Sequence, residues 1–146
     1  EIGDAAFKNS TVKNLGTYNA TNQKYEIPAT VKKIGNQAFY NCVNYKEVVF
    51  ATGSTLEVIG DEAFLGFKGT HFDFPATVTT LGAKAFATVG DNTSKIKTVN
   101  TLANITSIGD YAFYNAEEFE SYRYDLNTAV NNSTIFIGTV TENPNV

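Results

Sequence analysis

A six-residue phrase returns five times along the chain and constrains the fold more than any other feature. It reads IGDAAF at 2–7, IGNQAF at 34–39, IGDEAF at 59–64, LGAKAF at 81–86 and IGDYAF at 108–113. Its glycines, Gly3, Gly35, Gly60, Gly82 and Gly109, stand 32, 25, 22 and 27 residues apart. Recurrence at this period marks a stacked-repeat architecture, in which one unit cannot bury its apolar side alone and its neighbours complete the core. Units therefore start near Ile2, Ile34, Ile59, Leu81 and Ile108, with one solenoid turn per interval.

Each position of the phrase has a physical role. Ile or Leu packs inward, and Gly permits a tight or left-handed backbone. The following Asp4, Asn36, Asp61 or Asp110 can cap a short helical turn. Ala lets neighbouring units approach, and Phe7, Phe39, Phe64, Phe86 and Phe113 line up as an aromatic ladder through the core. Period-two alternation places strands at 24–28, 46–50, 71–74, 96–101 and 120–125. It turns Tyr25, Ile27, Val48, Phe50, Phe72, Phe74, Val99, Tyr122 and Tyr124 inward. Turn-rich insertions interrupt the period around 13–22 and 90–93.

The recurrence extends beyond six residues. After Phe39 come Cys42, Tyr45, Val48, Phe50 and Leu56, and after Phe113 the matching places hold Ala116, Phe119, Tyr122 and Tyr124. Two units also carry an apolar-Pro-Ala-Thr-Val run, at 27–31 and 74–78. This pattern resembles the BspA-like (treponemal-type) leucine-rich repeat over roughly residues 1–126. It departs in keeping one Cys, few Leu and two insertions. The resemblance implies an α/β, right-handed leucine-rich-repeat solenoid of about five turns. A parallel β-sheet would form the concave face, with short helical turns and loops on the convex face. It also implies a cell-surface or secreted location and an adhesion-type role. Residues 127–146 break the pattern. The β-prone run 134–140 reads as a C-terminal capping strand over the last open edge, and its rival is the start of a further domain.

Composition excludes several classes. The net charge of −4, with Arg123 the lone arginine, gives no clustered basic face, so no nucleic-acid partner is expected. No run of about 18 apolar residues exists, so this stretch does not insert directly into a membrane. The chain holds no Met and opens inside a repeat, which reads as a piece of a longer protein. No cofactor, metal or catalytic residue is assigned. His71 has no Ser or Cys positioned beside it as a nucleophile and reads as a surface histidine. Cys42 reads as a buried, inert thiol. A calcium row of aspartates is broken by Asn36 and Ala83, and the caps already account for its members.

The candidate binding surface is the outward face of the strands: Lys24, Glu26, Glu47, Val49, His71, Asp73, Thr98, Asn100, Ser121, Arg123 and Asp125. Pro28, Ala51, Pro75 and Leu102 complete it. Stacked in register, these residues make the mixed-charge concave strip that solenoids use for recognition. The chain thus reads as a non-catalytic protein-binding module whose partner is a host extracellular protein or another cell-surface protein. The alternative is a structural spacer that presents a neighbouring domain.

Overall fold

The structure, a computed structural model, describes residues 1–14, 16–21, 24–88, 90, 94–100, 102–116 and 119. Its strands are short: β1 (Thr17–Asn19), β2 (Lys24–Glu26), β3 (Lys33–Ile34), β4 (Val58–Ile59), β5 (His71–Phe72), β6 (Thr80–Leu81), β7 (Thr98–Val99) and β8 (Ser107–Ile108).

The longest pairing runs parallel in the order β3-β4-β6-β8, and Ile2 extends it by bridging Ile34. Its register aligns the first residue of every repeated phrase, Ile34 with Ile59, Ile59 with Leu81, and Leu81 with Ile108. Ile34, Ile59 and Leu81 are buried, so the phrase opens at the inward-facing end of a strand. Gly follows at once because the units touch there. A Cβ on Gly60 would lie 2.6 Å from Asn36 Oδ1 and 2.8 Å from the Asn36 nitrogen. None of the five repeat glycines has a positive φ, so close approach to the preceding unit is what selects Gly35, Gly60, Gly82 and Gly109, whereas Gly3 in the first unit has nothing within 4 Å.

The left-handed residue sits two places further on, at Ala5, Gln37, Glu62, Lys84 and Tyr111, with φ between 54° and 61°. This conformation swings alternate N–H groups out of the turn. Gln37 N–H donates to the Asp61 carbonyl and Glu62 N–H to the Ala83 carbonyl, each at 2.8 Å. Phe39 N–H and Phe64 N–H likewise reach Ala63 and Ala85 in the next unit at 2.8 Å. Intervening groups close three-residue turns, as from Ala63 N–H to the Gly60 carbonyl at 3.3 Å. Main-chain bonds directed to the neighbour cannot also build an i→i−4 helix. Among the described residues there is accordingly no helix, and turns replace the short helices expected on that side. For the same reason the Asx residues are not helix caps. Asp4 Oδ1 accepts from Asn36 N–H at 2.8 Å, Asn36 Oδ1 from Asp61 N–H at 2.9 Å, and Asp61 Oδ1 from Ala83 N–H at 2.8 Å.

The phenylalanines stack as expected. Ring centroids separate by 5.2 Å for Phe7 and Phe39, 5.1 Å for Phe39 and Phe64, 5.3 Å for Phe64 and Phe86, and 5.7 Å for Phe86 and Phe113. They stand between the Ile sheet and a second set of pairings on the opposite, front face. There Ile27 bridges Phe50 in parallel, β5 pairs β7 in parallel, and β1 pairs β2 antiparallel. The strand expected at 46–50 contributes only the Phe50 bridge, and those expected at 71–74 and 96–101 shorten to β5 and β7. Residues 120–125 and 127–146 lie outside the described residues.

Candidate functional site

The front pairings stop between the second and third units. Ile27 N–H donates to the Val49 carbonyl at 2.8 Å and Ala51 N–H to the Ile27 carbonyl at 3.0 Å, which ties unit two to unit one. β5 pairs onward with β7, and among the described residues no β-bridge joins Phe50 to β5. Over this interval lies an open groove of about 690 Å³. Glu47, Val49 and Ala51 border one wall and His71, Asp73 and Pro75 the other. Alternation accounts for the lining: Val48 and Phe72 turn to the core between these residues. The Phe50 and Phe72 rings meet edge-on at 5.8 Å beneath.

One wall is organised around an imidazole. His71 Nε2 lies 2.9 Å from Asp73 Oδ1 and Nδ1 lies 2.7 Å from Thr98 Oγ1. With the proton on Nε2, the ring donates to the carboxylate and accepts the Thr98 hydroxyl. The order Thr-His-Asp has the sequence of a nucleophile relay. Here, however, the His71 and Asp73 side chains are 47 % and 71 % exposed, where solvent screens the pair. What the bonds do is fix the ring on the groove wall and link unit three to unit four.

The structure brings Glu47, Val49, His71 and Asp73 together in the groove, and Thr98 joins through His71. Asn100 is engaged otherwise. Its Oδ1 accepts from Phe74 N–H and its Nδ2 donates to the Phe74 carbonyl, both at 2.9 Å, so the amide continues the pairing where β7 ends. Leu102 is buried instead of outward.

In the first unit the expected parity holds at Ile27, which is buried, and fails at Tyr25 and Glu26. Glu26 is 8 % exposed and accepts from Asn19 Nδ2 at 2.9 Å, whereas Tyr25 is 40 % exposed and packs on Tyr18 at 5.2 Å. The cause is the insertion, which returns as β1 and covers the edge of β2. Lys24 places its backbone in β2 of the same unit. Ser121, Arg123 and Asp125 lie outside the described residues.

Lys46, Ser54, Thr70 and Thr77 also line the groove and were not singled out from sequence. The repeated Pro-Ala-Thr run carried a signal for one of them, because Thr77 Oγ1 donates to the Leu56 carbonyl of the preceding unit at 2.6 Å. Gly69 has a similar role: any side chain there would strike the Lys46 carbonyl and the Phe67 ring.

Elsewhere the chemistry is quiet. Cys42 is buried, its Sγ donates to the Phe7 carbonyl at 2.8 Å, and burial pushes the thiol pKa up, only partly offset by a backbone bond at Ser10. That environment suppresses the thiolate. Asp4, Asn36 and Asp61 each accept a neighbouring N–H, and no cluster of metal-ligating side chains occurs among the described residues. Among the same residues no helix is long and apolar enough to cross a membrane.

The repeat ladder and its glycine contacts agree with the family comparison. A family model described as BspA type leucine rich repeat region matches in 6 copies across residues 1–141. The chain belongs to the BspA-type leucine-rich repeat family. No curated protein and no solved structure matches it. Leucine-rich repeats of this kind are generally non-catalytic modules that commonly mediate protein interactions, and BspA-type members are typically surface or secreted proteins.

Proposed function

We propose that this BspA-type chain is a non-catalytic, adhesion-type protein-binding module of a cell-surface or secreted protein. Its stacked units form a right-handed solenoid of about five turns over 1–126, and its partner docks on the concave sheet face. The partner is a host extracellular protein or another cell-surface protein. The observation that carries this reading is the groove, where two units present Glu47, Val49, His71 and Asp73 to solvent together. Thr98 and Asn100 continue the same face, and Ser121, Arg123 and Asp125 are assigned to it by alternation. We further propose that 127–146, with its β-prone run 134–140, covers the last unit as a C-terminal cap and tail.

The unbroken ladder on the turn side favours a second reading, a stiff spacer that holds another domain away from the surface. An array of extracellular-matrix proteins probed with the chain and with a Glu47→Lys/Asp73→Lys variant separates the two. Binding that disappears in the variant, at an unchanged melting temperature, is the expected result. Binding that survives both substitutions removes the groove from the account, and an array with no binder leaves the spacer.

A further inference from the structure

We infer that the groove receives an extended polypeptide segment bearing a basic side chain, held by main-chain pairing with the strand edges that flank it. This narrows the protein-binding reading above and rests on it.

The argument starts from the direction of backbone groups. Val49 C=O and Ala51 N–H face unit one, so in an extended chain the N–H and C=O of Phe50 between them face unit three. In the next unit, Thr70 C=O accepts from Thr98 N–H at 3.2 Å and Phe72 C=O from Asn100 N–H at 3.3 Å. Those residues face unit four. The main-chain groups of His71 and Asp73 therefore turn the other way, toward unit two. Phe50 on one side and His71 and Asp73 on the other direct donors and acceptors into an interval without a β-bridge.

Main-chain groups along a strand edge are a template for another strand, and an extended segment offers an N–H and a C=O at every residue, about 3.3 Å apart. A helix keeps its main-chain bonds internal, and a glycan lacks the alternation. The side-chain lining fits the same ligand. Val49, Ala51 and Pro75 supply apolar contact for one set of alternate side chains. The exposed carboxylates of Glu47 and Asp73 stand on opposite walls and favour a lysine or arginine from the other set, with Lys46 at the groove's end the one cation in the lining.

The test is calorimetric titration with a capped six-residue peptide alternating valine and lysine. Two controls accompany it: the same peptide N-methylated at alternate amides, and one with glutamate for lysine. The expected result is binding of the first and about tenfold loss or more for each control. Glu47→Gln/Asp73→Asn should weaken the first peptide several-fold, and its addition should slow amide hydrogen exchange at Phe50, His71 and Asp73. Equal binding of the N-methylated peptide, unchanged exchange at those amides, or no binding of the valine-lysine peptide overturns the inference. A chain that captures a matrix protein through Glu47 and Asp73 yet ignores the peptide keeps the wider reading and loses this one. A chain that does neither loses both.

Discussion

On the turn-bearing side, every neighbouring pair from unit one to unit five is joined by the same main-chain bonds in the same places. On the front face, the pairing joins units one and two, lapses, and resumes between units three and four. The two sides belong to the same stacked chain, so stacking alone does not explain the contrast. The turn side repeats because its contacts are fixed by a six-residue phrase with no room for change: a glycine where a Cβ would strike the neighbour, and a Phe stacked on two others. Front residues vary from unit to unit, and the 13–22 insertion returns there as β1. Bonding between units is thus concentrated where the sequence repeats, which leaves the front free to differ in lining and charge.

The strongest way to break this comparison is to remove a rung of the ladder. Phe64 stacks on Phe39 and Phe86 and meets Phe67 and Phe72 edge-on. Phe64→Ala should cost about 3–5 kcal/mol in denaturant unfolding. In a chain of this size that can abolish the folded state altogether. A loss below about 1 kcal/mol would mean that the ladder is not what holds the units together. Next comes Gly60→Ala. Its methyl meets the Asn36 nitrogen and the Gly35 carbonyl carbon, both backbone atoms at 2.8 Å, and backbone yields less readily than a side chain. A cost of about 1–3 kcal/mol is expected. Gly53→Ala, on an open turn with nothing within 4 Å, is the control for its left-handed backbone at φ 77°.

Much of the ladder could be read before any coordinates. Large apolar residues at one offset in five copies leave few ways to bury them, and the stacked rings occupy that place. The left-handed residues could not be read. Ala5, Gln37, Glu62, Lys84 and Tyr111 share no chemistry, and none is a glycine. Their conformation is imposed by bonds to the next unit, which no local propensity encodes, and the short helices were expected for lack of that information. The front failed for a different reason. Alternation correctly exposed Glu47 and Asp73, but it could not show that the 13–22 insertion would return against β2, bury Glu26 and expose Tyr25. Nor could it show the groove, since the segments on both sides of the gap carry good strand patterns of their own.

A finer comparison sets one side-chain link on each side against the other. Asn100 makes two bonds to the Phe74 main chain on the front, and Asp61 makes one to Ala83 N–H on the turn side. Asn100→Ala should cost about 1–2 kcal/mol and Asp61→Ala about 1 kcal/mol. Asp61→Asn should recover most of the latter, because Asn36 makes the equivalent bond with an amide oxygen. If Asp61→Asn is as damaging as Asp61→Ala, the carboxylate charge matters and the shared geometry does not.

The smallest effect on stability belongs to the groove. Glu47 and Asp73 are exposed, and surface substitutions of this kind usually stay within about 0.5 kcal/mol. Glu47→Gln should leave the melting temperature where it was. Asp73→Asn keeps an oxygen beside His71 Nε2, so the ring can hold its place between the new amide oxygen and Thr98 while the charge is gone. The double variant therefore isolates charge from shape on the front face. If it melts like the parent and still loses its protein ligand, the front is a recognition surface carried by a frame that does not depend on it. A clear drop in stability instead would tie these carboxylates to the frame, and the division between a repeating side that holds and a varying side that binds would no longer describe this molecule.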